Sequence, residues 1–506
     1  MRDAGEANEE PAPKVALARE KVLEEARRAI AEGEKKDVSI VVIGQYSLAC
    51  VLALPKLTVS CIGHVDAGKS TLMGRLLYEL GEVGEKGRIA NERASGKIGK
   101  ASFSWAWQMD GLTEERERGI TMDISQTRLP LPRTTLTVLD APGHRDFIPN
   151  MISGAAQADA ALLVIDAGVG EFEAGFEGGG QSREHVLLVR SLGVTQVVVA
   201  VNKLDMVEWS KARFDEICGA LQPFLVQSGF QPSKTIFIPC GAFSGVNLQE
   251  RNCKALEAWY NGPTLVDALD NLTPPTRSLD TPLRFPISNV FKGGHLSLGG
   301  IGVSGRVCSG IVQAREVVRI LPGQLSATIH SIELDSKSVP WAAAGSNVTL
   351  YLSGIDPNFL SIGSVICSPN DLVPVASAFI AQIIVFDIKM PITTGASVEL
   401  FHHSRDNPAT ISKLLATVDR ASGAVIKSNP RVLTKGCSAR VEITLRSGTM
   451  SAPSTKPLFL PLETFSTNKE MGRVLLRRGG ETIAAGETTN IFFFSPGASN
   501  APISRG

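Results

Sequence analysis

Nine residues constrain this chain more than any other stretch. Gly63-His-Val-Asp-Ala-Gly-Lys-Ser-Thr71 follows an apolar run and opens a helical pattern. Its spacing, G-x-x-x-x-G-K-[ST], has a physical reason. The glycines let backbone N–H groups curl around phosphate oxygens, and the N-terminus of the following helix adds positive potential. Lys69 is placed to reach β- and γ-phosphates, and the Ser70 hydroxyl to ligate Mg²⁺. Gly63, His64, Val65, Asp66, Ala67, Gly68, Lys69, Ser70 and Thr71 are therefore candidate nucleotide-binding residues. A loop of this kind sits between a strand and a helix, at the carboxyl end of a parallel sheet.

The surrounding pattern supplies that sheet. From Val38 to about Pro275, short β-branched runs (Leu136–Leu139, Ala161–Ile165, Val197–Val201, Thr235–Ile238) alternate with helical stretches. This predicts a parallel sheet wrapped by helices. Beyond Leu272-Thr-Pro-Pro-Thr-Arg277 helical periodicity fades. Strand-like runs then recur between turn residues at Gly302–Cys308, Val317–Ile320, Val348–Leu352, Phe379–Val385, Ala439–Thr444 and Asn490–Phe494. They predict two all-β barrels joined near Pro369–Pro374. The expected organisation is an N-terminal tail with a charged helix (1–37), a nucleotide-binding domain (38–275), one barrel (276–370) and a second barrel ending in a short disordered tail (371–506). The charged helix is read over Lys14 to Gly33, with Val15, Val22, Leu23, Ala26 and Ile30 on one face and Gly33 as its stop. Its periodicity leaves open whether it docks or stays a free linker.

Composition adds little. The chain of 506 residues is 43% hydrophobic and 20% charged with zero formal charge, which fits ordinary globular protein. From Pro282 onward 21 Lys/Arg face 14 Asp/Glu; a mildly basic half fits either nucleic acid or scattered solvated charge. Cys50, Cys61, Cys218, Cys240, Cys253, Cys308, Cys367 and Cys437 are single, with no C-x-x-C pair, so neither a zinc site nor a disulfide framework is indicated. The polar, acidic N-terminus is unlike a secretory signal. Val38 to Pro55 lacks charge but carries Gly44, Gln45, Tyr46 and Ser47 at its middle, and it reads as buried core rather than a membrane span.

Two further tetrapeptides sharpen the ligand. Asp140-Ala-Pro-Gly143 follows the run Leu136–Leu139, where a metal-organising aspartate belongs. Asn202-Lys-Leu-Asp205 follows Val197–Val201. The Asp205 carboxylate accepts two hydrogen bonds from a guanine edge, which adenine cannot supply. Asn202 steadies that loop and Lys203 covers the base. GTP is favoured over ATP.

The set resembles the translational GTPases. GHVDAGKST, Arg118-Gly-Ile-Thr121, DAPGH and NKLD are similar to that family's phosphate loop, first switch, second switch and guanine motif. The resemblance implies that Thr121 ligates Mg²⁺ and senses the γ-phosphate, and that Asp140 holds Mg²⁺ through water beside Gly143. It implies that His144 positions the attacking water behind an apolar gate of Val65 and Ile120. Pro239-Cys-Gly-Ala-Phe-Ser-Gly-Val-Asn-Leu248 resembles the loop that supports the guanine O6, so Gly241, Ala242 and Phe243 join the nucleotide-binding set. Here Gly241 replaces the usual serine and a hydroxyl is lost.

Within the family, Glu171-Phe-Glu-Ala-Gly175 and Gln181-Ser-Arg-Glu-His185 resemble the elongation factor 1-alpha branch. Ser102-Phe-Ser-Trp-Ala-Trp-Gln-Met-Asp110, Thr113–Asp123, Trp259–Leu265 and Pro408-Ala-Thr-Ile-Ser-Lys-Leu414 resemble the ribosome-rescue GTPase that partners Pelota, without most of its long N-terminal extension. The implied function is a cytoplasmic GTPase acting at the ribosomal GTPase-activating centre with a Pelota-type release-factor paralogue. GTP and Mg²⁺ are its cofactors; no membrane is involved, and the chain is monomeric outside its complexes. A release factor 3-like partner of the termination factor, an elongation factor 1-alpha-like carrier of aminoacyl-tRNA, and a GTP-binding ribosome adaptor without turnover are the alternatives.

One irregularity stands in front of the phosphate loop. Val38-Ser-Ile-Val-Val-Ile-Gly44 and Leu57-Thr-Val-Ser-Cys-Ile-Gly63 are both strand-like and both end in Ile-Gly. Joining Gly44 to His64 yields VSIVVIGHVDAGKST, which resembles the family directly; Gln45 to Gly63 is then 19 surplus residues. Leu57-Thr58 and Ile62-Gly63 are encodable by codons that resemble an intron branch point and acceptor. An unspliced in-frame intron is the hypothesis, and a true insertion the alternative. Connectivity places Leu57–Ile62 in the central strand, because the loop begins at Gly63 with no slack, and displaces Val38–Pro55. Deleting Gln45–Gly63 is expected to raise the melting temperature and preserve GTP binding. Thermal unfolding of both forms with and without GTP and magnesium checks this; a less stable or nucleotide-blind deletion form would make the segment part of the fold.

Overall fold

The computed structural model describes residues 19–34, 56–97, 105, 125–140, 142, 147–176, 180–292, 301–323, 325–335, 337–420, 422–449, 452–453 and 458–493. The chain divides into two compact units, Met1–Lys35 with Thr276–Val373 and Lys36–Pro275 with Pro374–Gly506. The boundary between the barrels falls at Val373/Pro374, in the stretch Pro369–Pro374, and the N-terminal helix belongs with the first barrel.

The second unit opens with a six-stranded sheet. Its strands are β1 (Lys56–Gly63), β2 (Ser125–Pro130), β3 (Thr135–Asp140), β4 (Ala160–Asp166), β5 (Gln196–Asn202) and β6 (Thr235–Pro239). Their order is β2-β3-β1-β4-β5-β6. All neighbours are parallel except β2, which runs antiparallel along β3. β1 therefore lies between β3 and β4, where the strand order reverses, and its carboxyl end is the crevice of such a sheet. The β3, β4, β5 and β6 cores fall on the four predicted runs. β2 (SQTRLP) is too polar and too weakly alternating to stand out by pattern; it is an edge strand with only Leu129 fully buried.

Helices cover both faces. Leu57, Val59 and Cys61 of β1 join a core with Leu72, Leu76, Val138, Val198 and Leu269. Ile62 joins the opposite core with Ile148, Leu163, Val199, Leu188 and Ile217. The second core runs on into the last barrel through Phe401, Leu475 and Ala485. Thr482 Oγ1 donates to Glu184 Oε1 at 2.9 Å, and Ser153 Oγ donates to Ser404 Oγ at 2.7 Å along the same junction.

That barrel closes from six strands, Val375–Val385, Ala396–His402, Arg405–Val418, Ser438–Leu445, Arg473–Arg478 and Glu481–Phe493. The pairing of Ala396–His402 with Arg405–Val418 shuts the ring. Alternate residues such as Phe379, Ala381, Ile383 and Val385 fill its interior.

The first unit holds another closed barrel, built on Arg284–Lys292, Ile301–Arg306, Val317–Leu321, Leu325–Leu334, Asn347–Ser353 and Val365–Cys367. The helix Arg19–Glu34 docks on it. Val22 and Ala26 are buried, Glu25 accepts from Trp341 Nε1 at 3.3 Å, and Arg19 pairs with Glu316 at 3.2 Å. Arg27 pairs with Asp280 at 2.5 Å. The helix passes Gly33, the expected stop, and ends at Glu34; Lys14–Ala18 lie outside the described residues. Among the described residues no helix is long and apolar enough to cross a membrane.

The central strand confirms the connectivity argument for Leu57–Ile62, while Val38–Pro55 lie outside the described residues. Its polar positions are fully enclosed: Thr58 is 3% exposed and Ser60 0%. The Ser60 hydroxyl has no hydrogen-bond partner. A buried unsatisfied hydroxyl costs about 1–3 kcal/mol. Ser60→Ala removes it without adding volume and is expected to stabilise by about 1 kcal/mol, or about 2–4 °C in a domain of this size. Thermal unfolding measures it; an unchanged or lower midpoint would show that the hydroxyl is satisfied in solution.

Candidate functional site

The carboxyl ends of β1, β3, β5 and the loop after β6 gather those predicted residues that are described. Gly63 ends β1, and His64, Val65, Asp66 and Ala67 form the turn into the helix Lys69–Glu79. Gly68 caps that helix with φ 89°, a left-handed conformation that a side chain strains. A Cβ there would also lie 2.6 Å from Asn202 Nδ2. The helix itself has Thr71 in its first turn and buries Leu72, Met73, Leu76 and Leu77, so packing on the sheet fixes its direction.

Lys69 Nζ donates to the Gly63 carbonyl at 3.2 Å and the His64 carbonyl at 2.9 Å, so its ammonium is folded back across the loop. Burial pulls its pKa down from the usual lysine range, and the Asp140 carboxylate pulls it back. Ser70 Oγ donates to Asp140 Oδ2 at 2.7 Å, bringing the two expected metal-organising groups together. Asp140 pairs in register with Cys61 of β1. Burial, then the Asp140 charge, pushes the Cys61 thiol well up and keeps it neutral. Gly143, Ile120, Thr121 and His144 lie outside the described residues.

The base side of the site is organised by Asn202. Its Nδ2 donates to the Ala67 carbonyl at 2.9 Å, and its Oδ1 accepts from the Ala242 N–H at 2.9 Å. One buried amide thus ties the phosphate loop to the loop after β6. Asp205 follows in a short 3₁₀ turn, Leu204–Val207, half-buried at the rim. Gly241 bridges Val246 across a tight turn, and Phe243 is 58% exposed beside it. Lys203, at φ 61°, pairs with Asp166 Oδ2 at 2.7 Å, so its ammonium is anchored while its stem passes near Gly68.

Several contributors were not singled out in the sequence. Asp166 ends β4 opposite Asn202 in the register, a strand-end aspartate with the same positional signal as Asp140. It also accepts the Gly168 N–H at 2.8 Å. Arg213 holds the loop after β4: its Nε donates to the Ala167 carbonyl at 3.0 Å, and its guanidinium pairs with Glu173 at 2.8 Å and Glu216 at 2.9 Å. Those bonds hold the Glu173 carboxyl down to about 2. His185 is buried behind the phosphate loop without a side-chain partner. Burial, then the neighbouring charges of Lys69 and His64, hold its pKa down to about 3, so it is neutral at pH 7.

Known proteins resemble this chain in sequence and fold. Residues 55–275 match the elongation factor Tu GTP binding domain, and residues 378–489 match the GTP-eEF1A C-terminal domain-like family. The chain is 45% identical over 431 residues to Protein HBS1 of Drosophila melanogaster, covering 85% of this chain and 62% of that protein. It therefore spans less than two thirds of that relative's length. It is 38% identical over 444 residues to elongation factor 1-alpha of Ignicoccus hospitalis, covering 86% of this chain and 96% of that one. The S. cerevisiae Ski7 GTPase-like domain, solved with GDP and inorganic phosphate, shares the fold with a TM-score of 0.71 at 20% identity, over 86% of this chain and 97% of that chain. The chain belongs to the elongation factor 1-alpha branch of the translational GTPases.

Asp205→Asn is expected to move base preference from guanine toward xanthine, because an amide presents one acceptor and one donor where the carboxylate presents two acceptors. Competition between GTP and XTP measures it. Equal discrimination before and after the change would remove Asp205 from the base contact.

Proposed function

We propose that this translational GTPase acts at the ribosome, binding GTP with Mg²⁺ and delivering a Pelota-type release-factor paralogue to stalled ribosomes in the cytoplasm. The observation that carries the nucleotide reading is the Asn202 bridge, which holds a phosphate loop and a base loop at opposite sides of one crevice. The 45% identity to Protein HBS1 supports the rescue role over the elongation role, for which the identity to elongation factor 1-alpha is 38%.

Lys69 compensates β- and γ-phosphate charge, and displacement of its two carbonyl contacts by phosphate oxygens needs only a side-chain movement. The donor set fits a magnesium ion: the Ser70 hydroxyl and Asp140 carboxylate are hard oxygen donors already in contact. When bound, magnesium neutralises charge on the β- and γ-oxygens. Thr121 senses the γ-phosphate and orders the first switch. Val65 and Ile120 gate His144, which orients the attacking water once the ribosome moves it into place. GTP-dependent ordering of the switches presents the partner, and hydrolysis releases it.

Co-purification with the Pelota-type paralogue rather than the termination factor tests the partner. His144→Ala tests the mechanism: GTP affinity should stay nearly unchanged, while ribosome-stimulated turnover falls by roughly 10²–10⁴-fold, the usual worth of a positioned catalytic group. Turnover within a few-fold of the parent would exclude His144 from the reaction.

A further inference from the structure

Gly241 lies beside the Asp205 carboxylate, and the structure gives that glycine a counterpart. We propose that Ser244 supplies the hydroxyl that orients the Asp205 carboxylate, from three residues further along the loop, and that glycine at 241 is what makes room for it. The proposal rests on the guanine-site reading of Asp205. Ser244 Oγ lies 3.4 Å from Asp205 Oδ2 and 3.2 Å from the Gly241 carbonyl oxygen. A Cβ at position 241 would stand 2.6 Å from Ser244 Oγ, 3.2 Å from the Trp209 ring and 3.4 Å from Asp205 Cγ. The two positions therefore compete for one small volume beside the carboxylate.

The turn itself aims Ser244. Gly245 N–H donates to the Gly241 carbonyl at 2.8 Å, and Gly241 and Val246 exchange two backbone bonds at 3.2 Å. Arg75 braces the outer side, donating to the Phe243 carbonyl at 3.4 Å and pairing with Glu79 at 2.9 Å. None of these bonds uses the Ser244 side chain, so the loop keeps its path when the hydroxyl is removed. The hydroxyl has one proton and two acceptors, both at long range. Donation to an ionised carboxylate is the stronger of the two, and it fixes which Asp205 lone pairs face the base. Ser244 is thus a positioning residue for base recognition.

The test uses the full chain in four forms: parent, Ser244→Ala, Gly241→Ser, and the double variant. GDP, IDP and ADP affinities and melting temperatures are measured for each. IDP lacks the 2-amino group, so it draws on one Asp205 oxygen instead of two. Ser244→Ala is expected to weaken GDP by roughly tenfold, to weaken IDP less, and to leave the melting temperature unchanged. The double variant, which returns a hydroxyl to position 241, should recover GDP affinity to within about threefold of the parent. Gly241→Ser alone should gain nothing, because Ser244 must swing out. Parent-like GDP affinity in Ser244→Ala, an equal loss for all three nucleotides, or no recovery in the double variant would each overturn the proposal. A parent that does not prefer GDP over ADP would overturn the guanine site itself, and the proposal with it.

Discussion

The Asn202 amide is the interaction on which the nucleotide crevice depends. It sits at the end of β5, paired in register with Asp166 of β4, and it is 1% exposed. Both of its polar atoms are used on backbone groups of different loops. The sheet is rigid and the amide short, so the distance from phosphate loop to base loop is set by one residue on a packed strand rather than by either loop. Loss of the amide would leave the Ala67 carbonyl and the Ala242 N–H without these bonds in a buried region, where each unsatisfied group costs about 1–3 kcal/mol. Lys203 and Asp205 follow the same strand end, with Lys203 anchored on Asp166 and Asp205 half-buried in the short turn Leu204–Val207.

What the sequence made legible was what local chemistry determines. The phosphate loop needs its two glycines and its lysine at fixed offsets, and each strand-end motif follows an apolar run whose burial is almost unavoidable. β4 (AALLVID) is buried at all seven positions. The amphipathic face of the N-terminal helix was legible too, because Val22 and Ala26 lie four residues apart. Its destination was not, since Trp341, Glu316 and Asp280 are about three hundred positions away and no periodicity encodes that separation. The Lys203–Asp166 pair and the Arg213 brace were hidden for the same reason: parallel register and tertiary packing decide them. Ser244 was visible as a residue but not as a partner, because only the tight turn at Gly241 folds it back toward Asp205.

The barrels illustrate the opposite limit. Their longer strands alternate cleanly, as in Val375–Val385, but three-residue strands such as Ile311–Gln313 and Val365–Cys367 carry too little pattern to be told from loops. Closure, not local propensity, makes them strands: Val365–Cys367 exists because Arg284–Lys292 and Val317–Leu321 flank it on both sides. The last barrel also completes the second core of the sheet, the one that holds Ile62. Phe401, Leu475 and Ala485 cover apolar surface that the helix Gln181–Ser191 and its neighbours would otherwise expose, and the half-buried Arg473 guanidinium packs over the Phe465 ring at 5.1 Å. Within this unit the sheet and the barrel are stabilised as one body.

The doubled strand shows how connectivity outranks side-chain preference. Position by position, Val38–Ile43 offers β-branched residues where Leu57–Ile62 offers Ser60 and Cys61. A central strand buried on both faces rewards the former. Yet β1 must deliver Gly63 directly into the phosphate loop, and only the second run is covalently positioned to do so. The accommodation is visible at two places. Ser60 lies between β3 and β4, opposite Leu139 and Ala161, with its hydroxyl unsatisfied. Cys61 lies opposite Asp140, where a thiol held neutral by burial adds no charge beside the buried carboxylate. Neither residue interrupts the strand pairing, which uses N–H and C=O groups that every residue here provides. The site geometry therefore survives a poorer strand, and the cost appears as stability rather than as a displaced loop.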